Sequence, residues 1–130
     1  MENWYNSVEY HSHVAERLDA LGVTAYDREA YEFALEAYQF AHEYHENIPA
    51  PPKDIELTYN ISAHNYAYYY LLHAKAVFEN PIATLKSWDI LSSRDIGEVV
   101  YGLVKVGLLR EHPGDAKEQF EGIFTINDVL

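Results

Sequence analysis

Apolar residues recur three or four apart through most of this chain, the spacing of one face of an α-helix. Trp4, Val8, His11, Ala15, Leu18 and Leu21 follow it and predict a helix over 2–21. Gly22 then stands where a left-handed C-terminal cap belongs. A second helix is predicted over 27–46. There residues 29–35 read EAYEFAL and residues 36–42 read EAYQFAH, a seven-residue echo. Ala30, Phe33, Ala34, Ala37, Phe40, Ala41 and Tyr44 make one stripe, flanked by Tyr31, Tyr38 and His45. Small Ala beside large Phe lets a neighbouring helix approach while the ring fills the groove. No 34-residue period recurs, so the echo does not predict a repeat array.

Pro49, Pro51 and Pro52 break the pattern and make 47–61 a proline-rich connecting loop. A third helix is predicted over 62–79, capped by Ser62. Its inward face is Ala63, Ala67, Tyr70, Leu71, Ala74, Val77 and Phe78. Tyr66, Tyr68, Tyr69 and Leu72 fall outside or beside that face, so the helix is apolar nearly all round. Such a helix is central in its bundle or covered by another chain. Asn80-Pro81 opens a fourth helix that runs to about Trp88. Ser92-x-x-Asp95 approximates a capping box for a fifth, which buries Ile96, Val99, Val100, Leu103 and Val104 and is ended by Gly107. Gly97 and Gly102 each cost that helix up to about 1 kcal/mol against Ala, which predicts close approach of another backbone. Beyond it, 108–110 reads as extended, His112-Pro113-Gly114-Asp115 as a turn and residues 120–126, FEGIFTI, as a strand. Asp115-x-x-Glu118 also suits the cap of a short helix. The expectation is a mainly α, compact single domain of about five helices over 1–130. It comprises a helical pair in 1–46, the loop, and a helix-turn-helix with a small β-hairpin or wing in 62–130.

Charge and composition narrow the functions. Twenty-one acidic residues against nine basic ones give a net charge of −12. A surface this acidic repels phosphate backbones and anionic lipid. No apolar run approaches the roughly 18 residues of a membrane span, and residues 1–10 lack the features of a signal peptide. The cytoplasm is the default compartment. With no cysteine, thiolate nucleophiles and Cys-based zinc sites are excluded. Twelve tyrosines are the main compositional signal for a partner-binding surface, because tyrosine suits half-buried, interfacial positions.

Candidate chemistry is sparse, and no cofactor is called for. His42 and His45, three apart on the second helix with Glu46 beside them, are weak candidates for a metal. A helix C-terminus rich in histidine is the simpler account. His11 and His13 are two apart and point to different helix faces. His64 and His73 read as hydrogen-bonded helix histidines. Asp95 and Glu98 are three apart on one helix face, the spacing of paired carboxylates in a small hydrolase. Capping by one and an ion pair of the other with Arg94 or Lys105 explains them with less. No phosphate-binding glycine loop, nucleophile elbow or HExxH is present.

Two resemblances meet in residues 80–109. The order helix, turn, helix, Leu-Leu segment, turn and return strand resembles a winged helix over 62–126, which implies a DNA-binding regulator. Yet Arg94 and Lys105 are cancelled by Asp95 and Glu98 on its recognition helix. The second resemblance covers most of 26–126. Trp88-Asp89-Ile90, Asp95-Ile96-Gly97-Glu98-Val99-Val100-Tyr101, Leu103-Val104, Gly107-Leu108-Leu109, Asp115 and Phe120 resemble a Minf-type family of short uncharacterised bacterial proteins. Tyr26, Glu29 to Tyr31 and Phe33 are similar to its N-terminal helix. The family tends to carry Gly at the place of Asp89 and Phe at that of Ile96. It implies one compact helical domain with Trp88, Asp95, Gly97 and Glu98 as a signature cluster, and no activity. The function expected from the residues is a protein–protein interaction or assembly module, self-associating, with Tyr66, Tyr68, Tyr69 and Leu72 as interface candidates.

Overall fold

A computed structural model describes residues 8–46, 62–109 and 115–130, with side chains for 13–41, 62–109 and 115–130. The proline-rich loop, the turn over 112–114 and the side chains of Trp4, His11, His42 and His45 lie outside the described residues. The chain forms α1 (Val8–Ala20), α2 (Arg28–Glu46), α3 (Ala63–Val77), α4 (Pro81–Ser87) and α5 (Ser93–Lys105). A 3-10 turn (Lys117–Phe120) and a last helical turn, α6 (Ile126–Val129), follow. The fold is mainly helical. α2, α3 and α5 pack on one another, α1 lies against α2, and the 3-10 turn sits on α3 and α5.

Local chemistry sets the helix ends. Ser62 accepts from the Asn65 N–H and Asn80 from the Ala83 N–H, both at 3.2 Å. Three helices stop in the same way. The amides of Gly22 and Val23 donate back to Asp19 and Leu18, those of Gly107 and Leu108 to Val104 and Leu103, and those of Asp89 and Ile90 to Lys86 and Leu85. Each is a Schellman motif, whose pivot takes a left-handed backbone. Two pivots are glycine, and the third is Asp89 at φ 63°. A side chain is strained there, and an acid opposes the negative end of α4. Asp89→Gly is therefore expected to stabilise by about 0.5–1 kcal/mol, net of the greater freedom glycine has when unfolded. Thermal unfolding checks it. An unchanged or lowered midpoint would mean that Asp89 is held by interactions that offset its strain.

One contiguous core runs from Val14 and Leu18 on α1 to Ile126. Phe33 is its hub. Its ring lies 5.0–5.7 Å from those of Tyr70, His73, Phe78 and Trp88. Tyr66 and Tyr69, expected outside or beside the inward face of α3, are buried, so they belong to that face. The Tyr66 hydroxyl donates to the Ala34 carbonyl at 2.6 Å, tying α3 to α2. α3 is covered on two sides, by α2 and by α5 with the 3-10 turn, so its buried arc is wider than one stripe. Val77, expected inside, is exposed at the end of α3. Tyr70 is fully buried, and among the described residues its hydroxyl has no hydrogen-bond partner. Burial alone drives its acidity far below that of an ordinary phenol. An unpaired buried hydroxyl costs about 1–3 kcal/mol. Tyr70→Phe keeps the ring and is expected to stabilise by about 1 kcal/mol, read as a higher urea midpoint at unchanged m. A loss of stability would show that the hydroxyl has a partner after all.

The return strand expected over 120–126 is not formed. Residues 117–120 are a 3-10 turn, Gly122 turns the chain at φ 74°, and an isolated antiparallel bridge joins Ser92 to Thr125. Among the described residues no β-hairpin occurs. The backbone groups of this segment bond instead to the residues opening α5. The Ser93 and Ile126 amides donate to Phe124 and Leu91 at 3.0 and 2.9 Å. The Ser93 hydroxyl donates to the Phe120 carbonyl at 2.6 Å and accepts from the Ile123 and Phe124 amides at 3.2 and 3.4 Å.

Candidate functional site

Of the four residues expected as a cluster, Asp95, Gly97 and Glu98 lie on α5 and Trp88 ends α4, and each has a packing, capping or ion-pairing task. Trp88, buried, packs tilted against Phe33 and edge-on against Phe78. Asp95, the third residue of α5, accepts on Oδ2 from the Leu91 and Ser92 amides at 2.9 and 3.1 Å. That satisfies two donors near the helix start. Its Oδ1 accepts from the Tyr26 hydroxyl at 2.7 Å, which anchors the α1–α2 connection to α5. Burial first, and then this carboxylate, push the Tyr26 phenol well above its usual range, so it stays protonated. Glu98 pairs with Lys117 at 2.7 Å rather than with Arg94 or Lys105. The hydrogen bond to Glu98 raises the Lys117 ammonium above the ordinary lysine range.

The glycines of α5 admit side chains rather than another backbone. A Cβ on Gly97 would lie 2.6 Å from the Phe120 Cβ, and one on Gly102 2.8 Å from the Tyr31 ring. At the far end of α5 the Arg17 guanidinium donates through Nε and Nη2 to the Val106 carbonyl, at 3.0 and 2.5 Å. A cation there complements the helix dipole and fixes α1 to α5. Sequence reasoning passed over Arg17 and Ser93, because both act across 27 or more residues of chain.

A cleft of about 340 Å³ opens beside this cluster, bordered by Tyr26, Tyr31, Tyr101, Glu98, Lys105 and Lys117. It offers ring faces and ammonium groups. Its phenol at Tyr26 is committed to Asp95 and its carboxylate at Glu98 to Lys117, so neither is poised as a base. Among the described residues no three His, Asp or Glu side chains converge on one point as metal ligands. His73 is sandwiched between Phe33 and Phe40, with ring centroids 5.0 Å away on each side and Glu36 Oε2 3.8 Å from Nε2. His64 is exposed beside Tyr68.

The interface candidates divide. Tyr66 and Tyr69 belong to the interior, whereas Tyr68 and Leu72 are 36% and 47% exposed on the outer face of α3. Tyr68 also packs edge-on against Phe124, 5.0 Å away, so the face continues onto the C-terminal segment. α5, the element a winged helix would offer to DNA, sits in the middle of the fold. Arg94 and Lys105 are its exposed residues.

Compared with protein-family models, with curated proteins and with solved structures, the chain shows no match.

Proposed function

We propose that this chain is a non-enzymatic protein–protein interaction or assembly module that self-associates. The observation that carries the proposal is the outer face of α3, where Tyr68 and Leu72 stand exposed, one turn apart, opposite a fully packed inner face. A tyrosine with its ring packed edge-on against Phe124 presents apolar area already fixed in place. Ordering such a side chain on binding costs little entropy. Among the described residues no helix is long and apolar enough to cross a membrane.

Sedimentation equilibrium of the full chain, with capture of partners from its native cell, tests the reading. Concentration-dependent association or a stoichiometric partner supports it; a strict monomer with no partner ends it. The alternative of a DNA-binding regulator has less behind it. The central position of α5 leaves two cations exposed on that helix, while duplex binders commonly neutralise several phosphates. Salt-dependent retention on duplex DNA would restore that alternative, and no retention at low salt would close it.

A further inference from the structure

We infer that the outer face of α3 is covered by a second copy of this chain, the two α3 helices crossing antiparallel on a twofold axis at Leu72. The inference rests on the assembly reading above and adds its geometry. Three exposed apolar residues of α3, Tyr68, Leu72 and Ala76, are spaced by four along its outer face, and Val77 is exposed at its end. Ridges of that spacing on two crossing helices interdigitate. A twofold axis at Leu72 brings each copy's Tyr68 over the other's Ala76, large against small, and Leu72 against itself. Such a surface is self-complementary, as a twofold interface requires.

Charge opposes the same occupant least at this face. The net charge of −12 makes two copies repel over most of their surface. α2 carries five Glu against one Arg, whereas α3 holds no acidic residue and a single Lys75. Like-charge repulsion is therefore weakest where the apolar ridge lies. Salt should discriminate between occupants. Screening relieves repulsion between two acidic copies, so self-association tightens as salt rises. A basic partner drawn by opposite charge would be lost instead.

The absence of cysteine makes the axis directly testable. Leu72→Cys places one thiol per chain, and the two thiols meet only at a twofold there. Mild oxidation of the full chain is expected to give a disulfide-linked dimer rapidly. Leu21→Cys, equally exposed beyond α1, should cross-link only at the slow rate of collisions. Leu72→Lys puts two cations face to face and is expected to weaken self-association about a hundredfold or more, with unchanged circular dichroism. Self-association that ignores Leu72→Lys, or that leaves Cys-substituted chains unlinked, overturns the α3 seam while the assembly reading stands. A chain monomeric at every salt concentration overturns the seam and self-association together.

Discussion

Replacing Ser93 with alanine is expected to destabilise the chain by about 3 kcal/mol, a large share of the roughly 5–15 kcal/mol that holds a domain folded. The side chain is fully buried. Its one oxygen serves the Phe120 carbonyl at 2.6 Å, the Ile123 amide at 3.2 Å and, more weakly, the Phe124 amide at 3.4 Å. Alanine removes that oxygen and leaves a methyl in its fully buried place. At least one carbonyl and one amide are then left unpaired, each costing about 1–3 kcal/mol. Urea unfolding at constant m measures the loss, and hydrogen exchange locates it. The amides of Ile123 and Phe124 should lose protection before those of α2. A cost below about 1 kcal/mol would mean that this segment is held by its apolar contacts rather than by the hydroxyl.

How much of this was legible depends on the range of the interaction. Ser62, Asn80 with Pro81, Asp95, Gly22 and Gly107 act within a few residues of where they stand, and their types alone place five helix boundaries. Asp89 does the work of Gly22 and Gly107 without being glycine. The readable trace was the apolar pair Leu85 and Ile90 across the same turn, both fully buried. Tyr66 and Tyr69 were misplaced because periodicity shows the direction of a helix face and not how many neighbours widen it. The composition of residues 120–126 favours a strand, but their hydrogen bonds run to a serine 27 or more residues away. A single serine inside a helix announces no such task. Trp88, Asp95, Gly97 and Glu98 stood out as a pattern. Their tasks depend on Phe33, Tyr26, Phe120 and Lys117, supplied by distant parts of the chain.

Gly97 shows the contrast in one substitution. Helix propensity alone makes Gly97→Ala favourable by about 1 kcal/mol. The structure reverses the sign. The new methyl would stand 2.6 Å from the Phe120 Cβ and 2.8 Å from its Cγ, near the root of the side chain rather than at a flexible tip. Phe120 has little room to retreat. It is buried, its ring packs edge-on against Tyr66 at 6.3 Å, and its carbonyl is held by Ser93. Overpacking of this kind costs about 1–3 kcal/mol, and so direct a clash belongs at the upper end. Gly97→Ala is thus expected to destabilise by about 2 kcal/mol net of propensity. Ser93 and Gly97 are one helical turn apart and both face Phe120, so their effects should not add. Once Ser93→Ala has released the Phe120 carbonyl, the 3-10 turn can shift away from the methyl. The double variant should then lose less than the sum of the single losses, by about 1 kcal/mol. Strict additivity in that cycle would show that the ring and the carbonyl of Phe120 are held independently, and a stabilising Gly97→Ala would show that the turn yields on its own.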